Sequence, residues 1–532
     1  MALTLHAAVT ASALLAAMFC AETAIAQEQG GILKIHHRDS PPSLSILEEV
    51  TISTVLPMMG VFSNLVLYKQ DEPQNSLKSI VPELATEWSW SEDGTRLTFR
   101  LHEGVRWHDG RPLTSKDVQC TWDLLLGRSP EKLRTNPRKA WYHNLEEVIA
   151  EGDFGVTFRL RRPQPALLAL LASGYSAIYP CHVLPREMRQ HPIGTGPFKL
   201  AEFKPNEYIK VTRNPDYWKK GRPYLEGIEY RFILNRSTAT LAFIAGTLDM
   251  TFPWAVTIPM LKDVRSQAPD AICELKTNNV RGTLIVNRNA PPFDNPEMRR
   301  AMALTLNRQA YIDILYEGQA TVGGAMMPPP EGVWGMPSEM LRTLPGYDPD
   351  VQKNRVEAHK IMEKLGYGPD KHLQIKVATR NIPVYRDPAV IVVDQLKESY
   401  IDGELDAVET VNYFSKLARK DYQVGFDFLA SAVDDPDEQF YENYTCGSER
   451  NYTGYCNREL ESLFDQQSME ANPEKRKQLV WEIDRKLQED GARPIISHNR
   501  NATCWHPRVK GLRMMVNSLF NGWRFEDVWL DK

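Results

Sequence analysis

Apolar positions recur along this chain in two rhythms, one with period two and one with the period of a helix. Leu97, Phe99 and Leu101 alternate with polar residues behind an Asp93-Gly94 turn, which predicts a half-buried strand leaving a hairpin. Thr114 then caps a helix, with Asp117 three residues on, and Val118, Trp122 and Leu125 share one face until Gly127 stops it. The tetrapeptide Thr-Phe-Arg-Leu occurs at 98–101 and again at 157–160, which reads as two similar strands of one small sheet. Residues 32–35 read as an opening strand, and Ile228, Tyr230, Phe232 and Leu234 alternate as a later one. A short helix is predicted over 239–244.

The second half repeats the alternation on a larger scale. An extended segment covers 282–287, and Asn295-Pro296 starts a helix with Met298, Met302, Thr305 and Ile312 at helical spacing up to Gly318. Strands and helices then alternate over 373–379, 389–399, 404–411 and 424–430, a pattern that predicts an α/β lobe. Asn472-Pro473 opens another helix, with Leu479, Ile483 and Leu487 on one face. The tail over 516–530 is aromatic and apolar, and holds Trp523, Phe525 and Trp529.

Length and charge narrow this picture. A chain of 532 residues exceeds one hydrophobic core, and about three or four folding units are expected. Charged residues make up 25%, the net charge is -5 and no basic block stands out, so nucleic acid is not an expected partner. Residues 7–19 are apolar and small, too short to span a bilayer, and Ala24-Ile25-Ala26 follows as a cleavage pattern. Residues 1–26 therefore read as a secretory signal, although the start lacks Lys and Arg; Phe19 ahead of Cys20 argues against a lipidated cysteine.

Export places the other six cysteines in an oxidising space. Cys446 and Cys456 close a polar, aromatic loop and are expected to form a disulfide worth at most about 3 kcal/mol. Cys120, Cys181, Cys273 and Cys504 are expected to be single buried thiols. Catalytic and metal signals are poor. Gly174-Tyr-Ser-Ala-Ile178 lacks the last glycine of a nucleophile elbow, and neither H-E-x-x-H nor a repeated CxxC occurs. The paired histidines, His36-His37 and His498 with His506, read as exposed loop residues rather than metal ligands.

The stretch Pro192-Ile-Gly-Thr-Gly-Pro-Phe198 forces a sharp bend through Gly194, Gly196 and Pro197, and leads to Val211-Thr-Arg-Asn-Pro-Asp-Tyr-Trp218. Upstream stand, in order, Pro82-Glu-Leu-Ala-Thr-Glu-Trp88, Glu92-Asp-Gly94, Thr98-Phe-Arg-Leu101, Gly104-Val-Arg-Trp-His-Asp-Gly110 and Thr114-Ser-Lys-Asp-Val118. This ordered set resembles the bacterial extracellular solute-binding proteins of family 5, the oligopeptide, dipeptide and nickel-binding type. The resemblance covers nearly the whole mature chain. It implies an α/β, two-lobed periplasmic binding protein fold (type II, cluster C-like) with an inserted small domain. The implied layout is a first lobe at 27–75, the inserted domain at 76–190, the first lobe again at 191–278, a second lobe at 279–500 and a return to the first at 501–532.

The resemblance also implies a function. A periplasmic monomer without cofactor or enzymatic activity captures a peptide or peptide-like solute in its cleft and delivers it to an ABC permease and ATPase complex. In peptide-binding members a Trp and an Asp receive the peptide's N-terminus. Aligned on Asp434-Asp-Pro-Asp437, those positions fall here on Leu429 and Ala432, which opens the alternative of a sugar, an opine-like compound or a metal complex. A secreted hydrolase is a remote alternative. The ligand-binding candidates are Trp254, Asn287, Asp434, Asp435 and Tyr444, because aromatics and carboxylates suit an extended, partly cationic ligand.

Overall fold

The computed structural model describes residues 27–491 and 493–531; the expected signal at 1–26, with Cys20, lies outside the described residues. The opening strand, β1, runs over Ile32–His37. The Asp93-Gly94 hairpin joins β2 (Ala85–Trp90) to β3 (Arg96–Leu101), and Gly94 takes φ 66°, which favours glycine. With β4 (Leu145–Glu151) and β5 (Gly155–Leu160) they form a sheet of order β2-β3-β5-β4. The two Thr-Phe-Arg-Leu segments are thus neighbours: Thr98 lies opposite Thr157, with the hydroxyls 3.0 Å apart. The helix Ser115–Leu126 covers this sheet, and its Trp122 meets Phe158 edge-on at 4.8 Å. Asp117 accepts from the Thr114 amide at 2.9 Å, and Gly127 ends the helix at φ 76°.

Next come β6 (Phe198–Lys204), β7 (Tyr208–Arg213) and β8 (Gly227–Phe232), in a sheet of order β1-β8-β7-β6. β1 pairs parallel with β8, and Leu234 lies beyond the strand, exposed. The bend at 192–198 passes against residues 60–62. A Cβ on Gly194 would lie 2.0 Å from the Val61 carbonyl oxygen, and one on Gly196 2.5 Å from that of Gly60, so only bare backbone fits. Leu33 and Ile35, Phe99 and Phe158, and Trp523 and Phe525 of the tail share one core, so the small sheet is fused to the first one rather than standing apart.

The second core lies around β9 (Ile272–Val286), β10 (Leu373–Arg380), β11 (Ile401–Val408), β12 (Val424–Ala430) and β13 (Ile495–Trp505). Their order is β11-β10-β12-β9-β13, with β10 parallel to β11 and β12, and β9 antiparallel to β12 and β13. Three expectations shift here. The single helix read up to Gly318 is two, Pro296–Thr305 and Arg308–Tyr316, because the Asn307 side chain accepts from Ala310 and starts a new helix. The strand read over 404–411 ends at Val408, because the helix Thr410–Ala418 follows at once. In the helix Pro473–Glu489, Val480, not Leu479, is buried beside Ile483 and Leu487.

All six cysteines among the described residues are bridged. Cys446 joins Cys456, but Cys120 also joins Cys181 and Cys273 joins Cys504, which corrects the reading of four single buried thiols. Only Cys504 of those four is fully buried. The partners are 61 and 231 residues apart, so spacing gave no hint. Tertiary packing brings them together: Cys181 donates its amide to Asp117 on the helix that carries Cys120, and Cys273 lies directly opposite Cys504 in the β9–β13 ladder.

β9 and β13 are the long strands that pass from one core towards the other. The expected boundaries at 278/279 and 500/501 both fall inside them. Thr277 pairs with Arg500 and Arg281 with His498, so residues 278–280 stand against Asn499 alone. This bulge bends the ladder and releases its side chains from regular pairing.

Candidate functional site

A small cavity of about 60 Å³ opens at that bulge between the two cores. Asn278 and Val280 of β9 and Asn499 and Asn501 of β13 line its base. The first half adds Arg38 just after β1, Thr51 and Ile52, Trp254 and the tail residue Phe520. The second half adds Arg380 at the end of β10, Tyr385, Phe414, Asp427 and Phe428 of β12, and Arg450.

Buried polar side-chain atoms normally find a partner. Here several that find none among the protein's own atoms belong to residues lining this one cavity. The donors are Trp254 Nε1, Asn278 Nδ2, Arg450 Nε and Arg38 Nε, the last keeping only a 3.5 Å ion-pair approach to Asp39. Thr51 Oγ1, Asn499 Oδ1 and Asn501 Oδ1 join them. Trp254 also holds φ 52°, a left-handed backbone that a bulky residue rarely adopts, fixed by its amide donating to Thr503 Oγ1 at 2.8 Å.

The charges are layered. The Arg380 guanidinium binds Asp39, which also accepts from Ser53, and lies over the Tyr385 ring at 4.4 Å. Burial pushes the Asp39 carboxyl up, but Arg380 and Arg38 pull it below the usual carboxylate range. Arg38 lies over Phe252 at 4.8 Å and donates to the Tyr385 hydroxyl. Arg450 pairs with Glu442 at 2.8 Å. Burial holds the Asp427 carboxyl up at about 6, in spite of Arg380.

Of the five residues chosen from sequence, Trp254 lines the cavity. Asn287 closes the end of β9, donating to the Lys420 and Tyr422 carbonyls. Asp434 accepts from Asn517 at 3.1 Å, and burial pushes its carboxyl up to about 7. Asp435 takes two hydrogen bonds from Arg476, at 2.7 and 2.8 Å, and caps the helix Pro436–Tyr444. Tyr444 packs in a core with Phe440 and Phe464. Those four lie in the fabric around the site, off the lining. Leu429 and Ala432 are both buried, and the Ala432 carbonyl accepts from Ser518 and Asn521.

Sequence reasoning missed Arg38, Arg380, Arg450 and the asparagines. One signal was present: Asn278-Asn279 and Asn499-Arg-Asn501 put residues depleted in strands inside strands. The histidines also need correction. His36, His37 and His498 are buried, because each ring Nε2 lies against a main-chain carbonyl, of Ile233, Ser53 and Gly324 respectively. Among the described residues, no group of three or more His, Cys, Asp or Glu is placed to hold a metal.

The family described as bacterial extracellular solute-binding proteins, family 5 Middle, matches residues 79–451. A probable di/tripeptide-binding protein 5 of Pseudomonas aeruginosa is 22% identical over 93% of this chain and 96% of its own length. Among solved structures, DppA of Helicobacter pylori in complex with the peptide STSA superposes with a TM-score of 0.82 at 21% identity, covering 95% of this chain and 99% of that one. AgaA of A. tumefacien R10, in complex with agropinic acid, gives 0.82 at 21% identity, covering 94% and 99%.

Proposed function

This chain belongs to the bacterial extracellular solute-binding proteins of family 5, a family of binding proteins rather than enzymes, and on that premise we propose that it captures a peptide-like solute between its halves and hands it to an ABC importer. The observation that carries this reading is the set of unpartnered buried polar atoms on residues of both halves that line one cavity. A solute that completes them touches both halves only when they are shut, so it binds the shut form better. Moving an open–shut balance from about 1:99 to 99:1 takes about 5.5 kcal/mol of such preference. A few hydrogen bonds and stacked rings in a desolvated cleft supply that.

The hinge in this reading is the bulge at 278–280 with Asn499 opposite, where the ladder is already interrupted. The two halves also touch directly, through Asp39 with Arg380, Gln164 donating to Asp437 at 2.9 Å and Gln74 donating to the Glu331 carbonyl at 2.6 Å. Residues 27–75, 191–278 and 501–532 form the first lobe in this scheme, 76–190 the inserted domain and 279–500 the second lobe. The permease and its ATPase subunits, and removal of 1–26 on export, belong to the same proposal.

Small-angle scattering with a peptide panel tests it. A bound solute is expected to shrink the radius of gyration and to raise the melting temperature through mass action. Profiles that stay the same with every peptide-like solute, or turnover of one of them, would remove this function.

A further inference from the structure

Within that reading, the charge around the cleft says which peptide-like solutes fit. Among the described residues, three guanidiniums line the cavity, those of Arg38, Arg380 and Arg450, against one carboxylate, that of Asp427. Asp39 and Glu442, one layer back, offset part of this. Three further guanidiniums are buried off the cavity lining, with Glu438 and Asp484 near Arg281 and Asp427 near Arg493. Arg138, Arg281 and Arg493 are each at most 2% exposed, and none forms an ion pair among the described residues. Arg281 bonds only neutral partners, Ser431 and Gln439, and Arg493 donates to Asn443. Arg138 lies 3.5 Å over the Tyr175 ring, which packs on the lining residue Phe520 at 4.9 Å, and its Nε, Nη1 and Nη2 find no partner. A buried cation short of counter-charge is costly, so the lining guanidiniums of Arg38, which shares Asp39 with Arg380, and of Arg450, whose Nε is unpartnered, favour an anion in the space they line.

For the other end of a free peptide the lining offers neutral acceptors, Asn499 Oδ1 and Asn501 Oδ1, and the carboxylates near the tail are already engaged. The clamp position carries the methyl group of Ala432, Asp434 is taken by Asn517, and Asp435 by Arg476. Glu438, close by, is pushed well above the usual carboxylate range by burial and by the neighbouring Glu442. The unpartnered lining donors Trp254 Nε1, Asn278 Nδ2 and Arg450 Nε call for acceptor oxygens.

We infer that the cleft takes an acidic peptide-like solute whose amine end is blocked or absent, with its carboxylate held by Arg450 and Asn278. This rests on the capture role proposed above. Asp427 opposes such a ligand, and so tunes it. Facing it are Arg380 on β10, Arg450, Arg493, and the hydroxyl-bearing rings of Tyr413 and Tyr452. An incoming anion favours the protonated form of Asp427. Affinity for the acid therefore rises as pH falls from about 7.5 to about 5.5, through the point where this carboxyl takes up its proton.

The test is calorimetric titration with alanyl-glutamate, its N-acetyl form and its C-terminal and side-chain diamide, on the parent protein and on Asp427→Asn. The acetylated acid is expected to bind at least as tightly as the free dipeptide, and the diamide about tenfold or more weakly. Asp427→Asn, with melting measured alongside to show that it folds, is expected to bind the acetylated acid severalfold tighter and to lose the pH dependence. If acetylation costs about tenfold while the diamide binds undiminished, an ammonium clamp operates, with Glu438 the group to suspect, and the inference falls while capture stands. An Asp427→Asn variant with unaltered affinity and pH profile also counts against it. If none of the three compounds binds or contracts the scattering profile, and no other peptide-like solute does, the capture role itself fails and takes the inference with it.

Discussion

Replacing Cys273 and Cys504 together by alanine is expected to lower the free energy of unfolding by about 5 kcal/mol, the largest loss from any one cross-link in this protein. The bond joins residues 231 apart, across the outer end of the β9–β13 ladder. In the chain-entropy account, tying together so distant a pair removes more freedom from the unfolded chain than tying a short loop does. The Cys446–Cys456 bridge, closing 10 residues, is worth about 3 kcal/mol on the same account. Denaturant midpoints of the two double variants, with parent-like slopes, measure the difference. If the short bridge proves the costlier one to lose, loop length is not what the long bridge contributes. Thiol titration of unreduced, unfolded mature protein offers an independent check, with no free group expected from these six cysteines.

Arg524→Met is expected to cost about 3–5 kcal/mol, because it leaves two buried carboxylates, Glu83 and Glu526, to share Lys219. Neither the Arg524 side chain nor that of Glu83 has any exposure. The guanidinium donates to Glu83, to the Met59 and Phe62 carbonyls and to Ser63 Oγ. Lys219 bridges Glu83 and Glu526, and Tyr217 donates to Glu526. The cluster ties together three separate stretches: Glu83 from Pro82-Glu-Leu-Ala-Thr-Glu-Trp88, Tyr217 from the end of the run at 211–218 with Lys219 just after it, and Arg524 and Glu526 from the aromatic tail. Glu83→Gln added to Arg524→Met is expected to recover part of the loss, since the uncompensated charge then disappears. A single variant that melts with the parent, or a double variant worse than the sum of its parts, would contradict this account of the cluster.

The local elements were legible because local chemistry fixes them. Thr114, Asp117 and Gly127 bound their helix by capping alone, Asp93-Gly94 makes its hairpin, and the paired Thr-Phe-Arg-Leu strands share a face pattern that suits one sheet. Boundaries slipped where a second signal overrode periodicity, as at Asn307, which starts a helix inside an otherwise continuous pattern. Trp254 could be picked out because its loop, Phe252-Pro253-Trp254, resembles the one that approaches ligand in the family.

The rest of the site was beyond sequence because its residues lie far apart and are ordinary one by one. Arg38, Asn278, Arg380, Arg450 and Asn501 meet only because β9 and β13 cross between the two cores and bulge where they do. The same holds for Cys120 with Cys181 and Cys273 with Cys504, whose pairing depends on which surfaces pack together. By itself the sequence determined the family, the alternation of strand and helix and the caps that bound the elements, since these depend on neighbours within a few turns of chain. Only the tertiary structure decided which charges face the cleft and which are already paired, because burial and Coulomb partners are properties of packing and not of order along the chain.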